Sequence, residues 1–143
     1  LGPTVFAVLM GLSRILHARY AERHSMRSFL LMSALLCTGC YAVLALSSAP
    51  WLSLAAVGVT GFSVGLFWPG TLSLAPHRLP AGGTAMYALL ALAGDVGCAI
   101  GPWTVGFGSQ LFGGSFQGGF ALALAFPLVL VALLIGRRDK RAL

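Results

Sequence analysis

The sequence predicts an all-α membrane protein with five transmembrane helices, and three observations carry that prediction. Of its 143 residues, 58% are hydrophobic and 8% charged, against roughly 45–50% and 25% in a soluble domain. A water-soluble fold of this size needs a far more polar surface, whereas lipid requires none. Five apolar stretches are long enough to cross a bilayer, which takes about 20 residues at a rise of about 1.5 Å through a hydrocarbon layer about 30 Å thick. Finally, Lys and Arg gather in short clusters between these stretches.

The first stretch runs from residue 1 to about 18 and holds a single charge, Arg14. The second, 28–47, is uncharged and ends at Ser48-Ala49-Pro50, a turn signal. Within the third, 51–75, Pro69 is the expected kink, and Pro76 and Pro80 bracket the loop that follows. The fourth, 82–111, is interrupted by Asp95 and by Gly101-Pro102. The fifth, 116–136, stops at the basic run Arg137-Arg138-Asp139-Lys140-Arg141, and 137–143 form a tail. No charge falls between Val96 and Gly136, too many residues for one span, so a hairpin turn belongs at Gly113-Gly114-Ser115.

Orientation follows from the basic residues, because cytoplasmic loops collect Lys and Arg. Arg19, Arg23 and Arg27 follow the first span, Arg78 follows the third, and the tail carries the rest, so only Arg14 of the nine Lys and Arg residues lies elsewhere. If the spans alternate, all of these fall on one side, and the connections 48–50 and 113–115 on the other carry none. The expected setting is a bacterial inner (plasma) membrane with the C-terminus cytoplasmic and the lipid bilayer as the first partner. The same distribution explains the net charge of +6 without nucleic acid, which is not an expected partner. The chain opens at Leu1-Gly2-Pro3 without the features of a signal peptide, and it is expected to begin inside a longer protein.

Small residues are unusually frequent within the spans. Gly58, Gly61 and Gly65 in the third, and Gly94, Gly97, Gly101 and Gly106 in the fourth, recur every three to five residues along one helix face. Such stripes let backbones approach closely in lipid, so Gly61, Gly65, Gly97, Gly101 and Pro102 are expected helix-packing positions and both spans are expected inside the bundle. Cys37 and Cys40 have the C-x-x-C spacing of redox and zinc sites but lack a second ligand pair, so they and Cys98 read as small packing residues.

The loop Ala18-Arg19-Tyr20-Ala21-Glu22-Arg23-His24-Ser25-Met26-Arg27 resembles the cytoplasmic signature of the major facilitator superfamily, G-x-L-A-D-R-x-G-R-R. Ala18 stands for the first glycine, Glu22 for the aspartate, Arg23 for the arginine, Ser25 for the second glycine and Arg27 for the last basic residue. With both glycines replaced, it is similar to the weaker copy in the second half of such transporters. Gly97-Cys98-Ala99-Ile100-Gly101-Pro102-Trp103-Thr104-Val105-Gly106 resembles the family's glycine-proline motif. Gly65-Leu66-Phe67-Trp68-Pro69-Gly70, with the Asp95 segment, is most similar to bacterial sugar permeases of the fucose-permease kind. The resemblance implies helices eight to twelve, most of a C-terminal six-helix bundle, partnered by an N-terminal bundle of the same polypeptide. It implies secondary transport, with sugar symport as the leading expectation. Drug efflux by the same fold, or a non-transporting scaffold or sensor, stands as the alternative.

Asp95 is the most informative residue. A carboxylate about twelve residues into a span costs at least about 2.5 kcal/mol on insertion scales, so it either serves proton coupling or a polar substrate, or is held by neighbouring hydroxyls and backbone groups. Arg14 lies roughly 6 Å from the cytoplasmic end and Asp95 roughly 18–20 Å from it, which argues against direct contact and for an arginine that snorkels to the head groups or Glu22. Glu22, Arg23 and Arg27, with Arg14, are the candidate conformational latch, set against a solvated positive-inside loop. Trp68, Thr71 and Tyr87 are candidates for a cavity wall, where an aromatic face stacks on a sugar ring and a hydroxyl bonds it; core packing and interfacial belts are the competing readings. His17, His24 and His77 lack ligands at metal spacing and read as solvated. No catalytic motif or phosphate loop appears, so an enzyme, a metal or a cofactor is not expected.

Overall fold

In a medium without water every backbone N–H and C=O must be bonded within the chain, and a helix does this locally. The computed structural model describes residues 1–20 and 25–136. Its elements are α1 (Gly2–Tyr20), α2 (Met26–Leu46), α3 (Pro50–Val64), α4 (Phe67–Arg78), α5 (Gly83–Leu111), α6 (Phe116–Ala123) and α7 (Ala125–Gly136), with no strand among the described residues. Among the described residues four helical stretches are long and apolar enough to cross a membrane: α2, α3 with α4, α5, and α6 with α7. The sequence reading expected five. The 19-residue α1 has the length but is not among them, because Arg14, His17 and Arg19 dilute its apolar character.

Two of the spans are broken, and a proline explains each break. Proline lacks an N–H and its ring crowds the carbonyl four residues earlier. Pro69 thereby disfavours a continuous helix through Gly65, and the turn at Gly65 and Leu66 separates α3 from α4. Pro127 acts in the same way on Ala123, the last residue of α6, and Leu124 separates α6 from α7. The first break lies one helical turn before the expected kink; the second falls in a stretch that the hydropathy pattern presents as one helix. Between α5 and α6 the chain reverses through Gly113 and Gly114 at φ 68° and 86°, a left-handed conformation that glycine alone adopts freely.

The tightest packing lies between α1 and α3. Gly58 faces Val5 and Leu9, Gly61 lies on the backbone of Phe6, and Gly65 lies on the Met10 carbonyl and Ser13. On its other face α3 meets α2, where Cys40, Leu44 and Ala56 form a buried cluster flanked by Val43, Val57 and Phe120. From there α2 packs on α6 and α7, and α6 packs on α5. A second glycine contact joins that last pair, with Gly108 against the backbone of Gly119.

Of the four spans, α5, the fourth in the sequence reading, is the least covered by the other described residues. Only Met86, Thr104 and Gly108 of α5 are buried, and Leu89 and Trp103 are 67% and 65% exposed. A Cβ on Gly97, Gly101 or Gly106 would meet nothing within 4 Å, and Pro102 is exposed. Glycine spacing sets which residues share a face but not whether another helix of these residues reaches it.

Hydrogen bonds fasten both ends of the bundle. At one end Arg27, at the start of α2, donates to the carbonyl of Leu134 in the last turn of α7. At the other, Gln117 donates to Ser48 Oγ at 2.8 Å, joining the connection before α3 to the start of α6. Thr38, Thr60, Thr71 and Thr104 each donate to the carbonyl four residues earlier, a local bond that satisfies a hydroxyl inside an apolar helix bundle. No buried side-chain nitrogen or oxygen among the described residues is left without a partner.

Candidate functional site

Helices α1 to α5 and α7 line an open cavity of about 610 Å³, within the range of small-molecule sites. Its wall includes Arg14 of α1, Tyr41 of α2, Trp68 and Thr71 of α4, and Gly94 and Cys98 of α5. A second cavity, of about 380 Å³, runs toward the end of α4 and shares Phe67, Thr71, Leu90 and Leu130 with the first. Arg78 lines that second cavity.

Local sequence explains how each group arrives there. The break before α4 re-aims its first turn, and Trp68 lies across Gly94, where a Cβ would sit 2.9 Å from the ring. The absence of a side chain at Gly94 is what lets the indole lie against α5. Trp68 remains 43% exposed. Thr71 follows less than one turn later, its hydroxyl bonded to the Phe67 carbonyl at 2.6 Å, leaving the hydroxyl oxygen an acceptor. On α5 the wall residues Leu90, Ala93, Gly94, Gly97 and Cys98 recur at helical spacing.

The candidates therefore separate. Trp68, Thr71 and Arg14 meet at one cavity. Tyr87 and Asp95 are exposed on α5 and belong to neither cavity wall. Arg14 and Asp95 make no ion pair or hydrogen bond with any described residue. Arg14 is exposed and lies on the cavity rim-to-wall surface between helices. Glu22 and Arg23 of the expected latch lie outside the described residues, and so does His24. Arg27, its third member, bonds a backbone carbonyl on α7. Cys37, beside the cavity, and Cys40 are buried and free, and Cys98 is exposed.

His17 is a further correction, since it is half-buried rather than solvated. Its Nδ1 donates to the Ser13 carbonyl at 2.7 Å, and its ring meets Phe29 edge-on at 5.2 Å and Phe62 at 6.1 Å. Ser13 itself has 0% exposure, pinned beside Gly65. The histidine is a packing element at the α1–α2–α3 junction, whereas His77 is exposed. Sequence reasoning missed Tyr41 and the α5 wall. The signal for the latter was present in the spacing of Gly94, Gly97 and Cys98, which was read as packing.

These features define an all-α protein of the membrane class with a cavity among its helices. No family model, no curated protein and no solved structure matches the chain.

Proposed function

We propose that these helices are part of a secondary transporter of the major facilitator kind, which moves a small polar solute by alternating access. The observation that carries the reading is the cavity of about 610 Å³ with Arg14, Trp68 and Thr71 on its wall. An open cavity between helices, with an aromatic face and a few polar groups, suits a small solute held while two bundles rock about it. The signature-like loop before α2 supports the same reading, with Glu22, Arg23 and Arg27 as the latch of one state. The bare glycine face of α5 would face the partner bundle, and Asp95 on that helix would carry the coupling proton.

Counterflow into proteoliposomes containing the full-length protein, screened across sugars, small acids and cationic dyes, tests the proposal. Exchange of any of these solutes supports transport. Uptake confined to dyes selects drug efflux over sugar symport, and no exchange in a folded, reconstituted protein selects a scaffold or sensor.

A further inference from the structure

A guanidinium keeps its charge at every physiological pH and is expensive to leave unmatched beside apolar walls. Among the described residues, Arg14, itself exposed, is the only charged residue on the wall of the larger cavity, and Arg78, also exposed, the only one on the wall of the smaller. Asp95, the single carboxylate among the described residues, borders neither. Arg14 has no hydrogen-bond or ion-pair partner among the described residues. Apart from the Thr71 hydroxyl and the Cys37 and Cys98 thiols, the remainder of the wall is apolar or aromatic, with Trp68 held across Gly94 and Tyr41 also lining it.

From this we infer that the cavity takes a small organic carboxylate with a ring or hydrocarbon face, a sugar acid or an aromatic acid, its carboxylate on Arg14 and its ring against Trp68. The inference rests on the transport reading above and narrows its substrate class. Guanidinium donors match a carboxylate bidentately, with hydrogen bonds about twice as strong as neutral ones. A neutral sugar leaves the cation unmatched, and a cationic dye is repelled by it. Arg78 adds a second positive charge along the same groove, which favours entry of an anion.

The test is counterflow of three matched solutes, a neutral hexose, its sugar acid and benzoate, in proteoliposomes of the full-length protein, for the parent and for Arg14→Gln and Arg14→Lys. A thermal melt in detergent restricts the comparison to folded variants. The expected result is exchange of at least one of the two acids in preference to the hexose. Arg14→Gln should lower that exchange roughly tenfold or more, with Arg14→Lys in between because it keeps the charge without the fork. Exchange by the sugar acid alone or by benzoate alone identifies which face Trp68 accepts. Preferred exchange of the hexose, or acid exchange that Arg14→Gln leaves unchanged, overturns the inference while leaving the transporter reading intact. Absence of exchange with all three solutes, and with the dyes of the wider screen above, overturns both.

Discussion

Gly61→Ala places a methyl group where α1 and α3 touch backbone to backbone. The added Cβ would lie 2.3 Å from the Phe6 carbonyl oxygen and 2.9 Å from its C and Cα atoms. Van der Waals contact needs about 1 Å more than the shortest of these distances. The obstacle is main chain, so no rotamer change relieves it and the helices must part. Overpacking of this kind costs about 1–3 kcal/mol, a shift of about fivefold to about 150-fold in the unfolding equilibrium. Parting the helices also loosens the neighbouring contacts of Gly58 and Gly65, which pushes the effect toward the upper end. Gly97→Ala and Gly101→Ala are internal controls, because nothing lies within 4 Å of either new methyl. Both are expected to be neutral or slightly stabilising, since alanine favours a helix by up to about 1 kcal/mol over glycine. A thermal melt in detergent, followed by a thiol-reactive dye, reads the difference through the buried Cys37 and Cys40, with the exposed Cys98 changed to Ser. Should Gly61→Ala melt together with the two controls, the close α1–α3 contact is wrong.

Three further outcomes are expected. Arg27→Gln removes the charged donor from the Leu134 carbonyl. The loss should be about 1–2 kcal/mol in the same melt, and an unchanged midpoint refutes the fastening. Pro127→Ala restores a donor to the Ala123 carbonyl and should merge α6 and α7 into one helix; spin labels at residues 116 and 136 then move apart, whereas an unchanged separation assigns the break to another cause. Asp95→Asn should leave the melt unaltered, because Asp95 has no described partner, yet abolish proton-driven uptake while counterflow persists. Full proton-driven accumulation by that variant removes Asp95 from the coupling role.

The long apolar runs make α2, α5 and the helices of 116–136 legible in sequence, because lipid forces the backbone to bond within itself. Hydropathy says less about α1, where three basic residues in one helix offset its aliphatic side chains. It is equally blind to the break at Leu124, which depends on one missing N–H at Pro127 rather than on any change in polarity. At the candidate site, Trp68 and Thr71 stood out as polar or aromatic groups near a proline. Tyr41 and Cys98 did not, since their place on the cavity wall depends on how α2 and α5 are arranged around α4. Glycine spacing illustrates the same limit. The stripes of α3 and α5 look alike as patterns, but α1 covers only the first.

Labelling with a membrane-impermeant maleimide bears most directly on whether lipid surrounds these helices with their basic ends on one side. Single cysteines replace Ala49, Phe116, Ser25 and His77, all exposed, in a variant lacking Cys37, Cys40 and Cys98, within sealed vesicles of known orientation. Positions 49 and 116 are expected to react from the outer face, and positions 25 and 77 only from the cytoplasmic face. Reaction of all four from the same side, or recovery of the protein in buffer without detergent, would contradict the membrane-spanning arrangement.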